Sequence, residues 1–231
     1  MSEIFENTCS EMQKTSKPLT TFWDLEEFGR TRLSKSYYAR DFLYSEISNF
    51  YKIPNIPVDV DLFVETGKKL CEVILEPITE IFGRIGLRSG YRSPTLNDYG
   101  NKNNLKCARN EANFAGHIWD VKDKNGHKGA MACIFIPWFN DNFTAEKDWI
   151  KLAYFLHDNI DYSTITFFAR QNCFNIGWHE KPEKTIFSTK EPKGYLVDGK
   201  QSGGGLFEIG KKHYSEYYQE ITEKLSRTKL D

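Results

Sequence analysis

One long amphipathic stretch limits what this chain can fold into. After Asp59, a helix-capping residue type, apolar side chains recur at helical spacing through Leu62, Phe63, Leu70, Cys71, Val73, Ile74, Ile78, Ile81 and Phe82. Such a stripe marks the core-facing side of a helix. Pro77 falls inside it and predicts a kink or two abutting helices, while Gly83 and Gly86 end it. A helix this apolar on one side must lie against a second layer. The rest of the chain supplies one. Residues 85–92 read as a strand running into a turn at Ser93-Pro94. Residues 117–123 and 129–137 read as a hairpin through Lys124-Asn125-Gly126, and residues 164–170, 174–178 and 184–188 as further strands. Between them, residues 144–159 form a helix burying Trp149, Leu152, Ala153, Phe155 and Leu156. Helices early, then strands with one helix among them, predict an α+β fold with an antiparallel sheet flanked by helices.

The 231 residues, 39% of them hydrophobic and 15% aromatic, are enough for one large domain with decorated ends. Three parts are expected. Residues 1–50 hold a polar arm and an aromatic-rich segment, and residues 51–200 the main domain. Residues 201–231 hold the Gly-rich break Gln201-Ser202-Gly203-Gly204-Gly205 and an amphipathic helix marked by Tyr214, Tyr217, Tyr218, Ile221 and Leu225. That helix docks on the core or on a second subunit, and the oligomeric state stays open. Thirty-one Lys+Arg against 32 Asp+Glu leave a net charge of −1, so no global positive field supports nucleic-acid or anionic-membrane binding. No apolar run approaches the ~18 residues of a membrane span, and the first residues carry no secretory pattern. The expectation is a cytoplasmic protein. Five cysteines at 9, 71, 107, 133 and 173, with no C-x-x-C, do not make a disulfide framework and read as reduced thiols.

Three places carry side chains suited to chemistry. The first is Ser89-Gly90-Tyr91-Arg92-Ser93-Pro94, where an Arg at a strand end offers a planar fork for a carboxylate or phosphate. The second is His117 with Asp120, Asp123, His127 and Cys133, all metal-ligand types, around the expected hairpin. Strand alternation there puts Met131, Cys133 and Phe135 on one face and Ala132, Ile134 and Ile136 on the other. The third is Ile176-Gly177-Trp178-His179-Glu180. Taken singly, each also has an ordinary reading: a surface Arg in a turn, a small core Cys, a hydrogen-bonded His. Residues 98–116, rich in Asn and Lys, read as a long loop, and loops of that length are usually functional.

Taken together, these segments resemble the M15 family of zinc D-Ala-D-Ala peptidases, which share the Hedgehog/DD-peptidase fold. The likeness runs from the helix with Leu70-Cys71-Glu72-Val73-Ile74-Leu75-Glu76-Pro77, through Ser89-Gly90-Tyr91-Arg92-Ser93, to Trp178-His179-Glu180. It implies a Hedgehog/DD-peptidase-like antiparallel sheet and a zinc ion held by His117, Cys133 and His179. His127 is the alternative first ligand. Arg92 matches the Arg that holds the substrate's carbonyl or carboxylate, and Glu180 is the nearest proton-transfer group. This sequence departs from the pattern in three ways. Cys133 stands where the family has Asp; thiolate still suits zinc but lowers its Lewis acidity. Ile176 stands where the family has its catalytic carboxylate, and residues 120–128 are inserted. The resemblance therefore implies either a zinc-dependent hydrolase of a small peptide or peptidoglycan-like amide, of phage or bacterial type and released by lysis, or a degenerate scaffold of the same fold. The latter binds a ligand or partner, such as a small peptide or cell-wall fragment, without cleaving it.

Overall fold

A computed structural model describes residues 18–168, 173–198 and 214–228. Most of the expected polar arm and the Gly-rich break at 201–205 lie outside them. The described elements run α1 (Phe22–Gly29), a 3-10 turn (Ala39–Phe42), α2 (Glu46–Tyr51), α3 (Val60–Leu70), a π-helical turn (Cys71–Leu75), α4 (Glu76–Phe82) and β1 (Gly86–Ser89). They continue with α5 (Pro94–Lys102), a second 3-10 turn (Asn110–Ala112), β2 (Gly129–Phe135), α6 (Pro137–Asn142) and α7 (Trp149–Asn159). Last come β3 (Thr164–Phe167), β4 (Phe174–His179), β5 (Thr185–Ser188), β6 (Gly194–Val197) and α8 (Ser215–Thr228).

The amphipathic stripe forms where its periodicity places it. The Asp59 carboxylate accepts the Leu62 N–H at 2.9 Å, and Leu62, Phe63, Leu70, Ile74, Leu75, Ile78 and Phe82 are buried. Pro77 acts differently from the expected break. The helix widens into the π turn just before it, with the Glu76 N–H donating to the Cys71 carbonyl, and helix resumes as α4. A proline has no N–H for the carbonyl four residues back, and a wider turn absorbs the mismatch.

The six strands form one sheet in the order β1-β2-β4-β3-β5-β6. Every neighbouring pair is antiparallel except β3 and β5, which are parallel. The fold is thus α+β with a mixed sheet, a correction to the antiparallel sheet expected. The cause is topological: β4 fills the place between β3 and β2, so the returning chain adds β5 on the far side of β3. Two further expectations change. Residues 117–123 form turns rather than a strand, because His117, Trp119 and Asp120 are all drawn inward beneath β1's end. Part of the expected 98–116 loop, residues 98–102, is the C-terminal half of α5, a helix capped by Ser93, whose hydroxyl accepts the Leu96 N–H. The short strand β6 has no clear alternation in its four residues and was not expected.

Alternation sorts the sheet into two faces. Ala130, Ala132 and Ile134 of β2, with Phe174 and Ile176 of β4 and Ile165 and Phe167 of β3, are buried on the side packed by α3 and the π turn. Fully burying one such side chain contributes about 1.5–3 kcal/mol. The opposite face carries Met131 and Cys133 of β2 and Asn175, Gly177 and His179 of β4. Cys133 pairs with Asn175, and Gly129 with His179. Gly129 is required there: a Cβ would stand 2.2 Å from the Ala115 carbonyl oxygen and 2.8 Å from the His179 ring. The Tyr-rich α8 docks on its own chain. Tyr214 stacks on Tyr154 of α7 at 4.3 Å, and Asp158 accepts the Tyr214 N–H at 2.7 Å and the Tyr218 hydroxyl at 3.0 Å. Among the described residues, no helix is long and apolar enough to cross a membrane.

Candidate functional site

Two segments far apart in sequence lock together at the end of β1. Arg92 donates its backbone N–H to the His117 carbonyl at 2.8 Å, and His117 Nδ1 lies 2.9 Å from the Gly90 carbonyl oxygen. The Tyr91 hydroxyl donates to Asp120 at 2.9 Å, and the same carboxylate oxygen accepts the Val58 N–H at 2.8 Å. Behind this lattice Trp119 is fully buried against Phe42 and Phe63, with its indole N–H donating to the Met131 carbonyl at 3.0 Å. Gly90 is needed for the close approach, since a Cβ would come within 2.9 Å of Phe42 Cβ and 3.1 Å of its Cα. Asn55 closes the knot by donating to the Leu43 and Tyr91 carbonyls and accepting the Ser93 N–H. Thus Gly90-Tyr91-Arg92 and His117-Ile118-Trp119-Asp120 form a single rigid unit.

Above that unit opens a cavity of about 800 Å³. Arg88 and Arg92 border it together with His117 and Asn175, while Phe50, Tyr51 and Phe168 form apolar walls. Because a carbonyl only accepts, the Gly90 contact puts the His117 proton on Nδ1 and leaves Nε2 a lone pair. The Asn175 side chain lies within hydrogen-bonding reach of that ring. Burial, and then the Arg92 charge, push the His117 pKa down to about 3, so the ring is neutral at physiological pH. One Arg92 nitrogen, Nη1, donates to Cys107 Sγ at 2.8 Å, whereas Arg92 Nε is buried with no hydrogen-bond partner. Neither arginine is ion-paired with a described residue. An exposed Arg88, a cationic and partly unsatisfied Arg92, and a neutral His beside an amide make a site shaped for an anion.

The structure brings the expected residues together only in part. Arg92 and His117 share the cavity. Cys133 and His179 lie on one face of the sheet but four residues apart along paired strands, roughly 13 Å at strand rise. His117, Cys133 and His179 therefore do not converge on one ion, and among the described residues no group of three or more His, Cys, Asp or Glu side chains is arranged to hold a metal. The alternative ligand His127 does meet His179: the ring centroids are 5.9 Å apart. Asp123 Oδ2 lies 3.4 Å from both His127 Nδ1 and His179 Nε2. The other oxygen of Asp123 accepts the Asn125 and His127 backbone N–H groups at 2.8 Å, which holds its carboxyl below the usual carboxylate range. Glu180 turns away and accepts the Lys128 N–H at 3.2 Å. The trio's donor types suit zinc, but it is arranged as a hydrogen-bonded cluster, and zinc does not fit it as it stands.

Sequence reading missed Arg88, Asn175 and Cys173. Arg88 and Arg92 both flank the Ser89-Gly90-Tyr91 turn, and Asn175 is the one amide in the Phe174–His179 strand; both were signals. Cys173 stands beside Cys133 because it continues the register of β4, a pairing that only strand alignment exposes. Comparison of the chain with known protein families, curated proteins and solved structures finds no match.

The knot has a testable pH signature. Burial raises the Asp120 carboxyl above its ordinary range, although the Val58 N–H and Tyr91 hydroxyl pull it back in part. The folded state therefore holds the proton more tightly than the unfolded one, and ionisation costs stability as pH rises through the folded pKa. Urea unfolding of Asp120→Asn, which has no such ionisation, checks this. Its stability relative to wild type should be higher at neutral pH than near pH 4.5. An unchanged or reversed difference would rule out the buried carboxylate as the cause.

Proposed function

We propose that this chain is a ligand-binding protein on a degenerate, Hedgehog/DD-peptidase-like scaffold, whose cavity takes a small molecule bearing a carboxylate or phosphate on a flat or apolar body. Arg92, whose Nε is buried without a hydrogen-bond partner and whose side chain borders the cavity beside Arg88, carries this reading. Buried N–H groups in folded proteins are nearly always satisfied, and an anionic oxygen satisfies a guanidinium best. The neutral His117 and the Asn175 amide add polar contacts without a second negative charge, and Phe50, Tyr51 and Phe168 supply apolar surface for the ligand's body. A short peptide or cell-wall fragment ending in a carboxylate meets this description. Calorimetric titration with D-alanyl-D-alanine, benzoate and phenyl phosphate separates the carboxylate and phosphate arms. Binding of at least one, weakened about tenfold or more by Arg92→Gln, is the expected outcome, since a hydrogen bond to a charged group contributes about 1.5–3 kcal/mol. Binding that Arg92→Gln leaves intact, or no binding by any of the three, contradicts the proposal.

A second reading, a zinc-dependent hydrolase of M15 type acting on a peptide or peptidoglycan-like amide, is favoured by one observation: Asp123, His127 and His179 lie together. Metal analysis of protein made in zinc-replete medium tests it. About one zinc per chain, lost in both His127→Ala and His179→Ala, supports this reading. Protein without zinc rules it out.

A further inference from the structure

The same sheet face carries a feature that neither reading uses. Cys133 of β2 is paired with Asn175 of β4, and Ile134 with Phe174, so Cys173 lies one step beyond the paired run, diagonal to Cys133. Alternation puts Cys133, Asn175 and Cys173 on the same face. The two thiols lie within interacting reach of each other and are not joined in a disulfide. Their surroundings differ. Cys173 borders a second cavity of about 450 Å³ together with Lys190, Phe139, Trp149 and Thr189. Both are buried, Cys133 at 1% and Cys173 at 6% exposure, but Cys133 lines neither cavity. Arg88 hydrogen-bonds Cys133, and the charges of Arg88 and Lys190 both act on Cys173.

We propose that Cys173 and Cys133 form a thiol–disulfide exchange site, with Cys173 attacking and Cys133 resolving, that takes small-molecule disulfides such as oxidised glutathione through the second cavity. The chemistry balances. The Cys173 thiolate attacks one sulfur of the incoming disulfide; the Cys173–S bond forms, the S–S bond of the reagent breaks, and one thiol of the reagent leaves with a proton. The Cys133 thiolate then attacks Cys173 sulfur, forming the Cys133–Cys173 bond and expelling the second thiol. Two protein thiols are oxidised and one disulfide is reduced to two thiols.

Three observations assign the order. Of the two, Cys173 borders the second cavity and Cys133 borders neither. Its thiol is held below the ordinary range, first by the hydrogen bond from Cys133 and then by the two cations, while burial opposes this. Cys133 is pushed the other way by the same hydrogen bond and by burial, so it keeps its proton until Cys173 has reacted. Cys71 offers a contrast: it is fully buried in the helix core, where burial and the charge of Glu76 push its thiol up.

The folded protein is incubated with millimolar oxidised glutathione, remaining thiols are alkylated, and peptides are mapped by mass spectrometry. Wild type should form the Cys133–Cys173 disulfide. Cys133→Ser should stop at one glutathione on Cys173, and Cys173→Ser should react at Cys133 at least tenfold more slowly. Lys190→Gln should slow the first step several-fold without changing its product. If the serine variants fail to fold, brief alkylation of wild type decides: Cys173 should label before Cys71, Cys107 and Cys133. Wild type that forms no Cys133–Cys173 disulfide, or that labels Cys71, Cys107 or Cys133 before Cys173, overturns the assignment.

Discussion

The interlock of Gly90-Tyr91-Arg92 with His117-Ile118-Trp119-Asp120 is the constraint on which the rest of the site depends. It joins the end of β1 to the segment leading into β2, and so sets where the sheet's outward face opens. Its bonds are backbone and side-chain hydrogen bonds in a buried setting, where leaving one partner unsatisfied costs about 1–3 kcal/mol. The aromatic packing of Phe42, Phe63, Tyr91 and Trp119 shields those bonds from water. Because the lock fixes the His117 ring through its Nδ1 proton, it also fixes which nitrogen faces the cavity.

On that face, three chemical groups occupy separate stations. Arg92 and His117 sit at the cavity over the knot. Cys133 and Cys173 sit where β2 meets the start of β4, and Asp123, His127 and His179 at that strand's far end. The resemblance to zinc peptidases implied one centre made of His117, Cys133 and His179, one residue from each station. The strand register keeps them apart: residues on one face repeat every second position, and four positions already exceed the reach of a shared ion.

Much of the architecture was legible because it is written in periodicity. The Asp59-capped stripe, the burial of Trp149 to Leu156 and the alternation of Ala132 against Cys133 all follow from which side chains avoid water. The topology of the sheet was not legible, since nothing local to β5 says that it joins β3 in parallel. The segment from His117 to Asp123 also misled. The Lys124-Asn125-Gly126 turn signal suggested a strand before it, yet the segment's polar groups find long-range partners in Gly90 and Tyr91 that no local pattern encodes. The cavity's amide and second arginine were visible as an Asn within an aromatic strand and as repeated Arg around a Gly-Tyr turn. Only the fold shows that they face one another.

The lock holds His117 buried, neutral and protonated on Nδ1 beside Arg92. Nitrogen-15 NMR of the His117 imidazole across pH 5 to 8 tests it most directly. The Nδ1–H tautomer should persist throughout, with no titration in that window. An imidazole that instead titrates near its ordinary value of about 6.5, or that carries its proton on Nε2, would contradict both the lock and the anion site built on it.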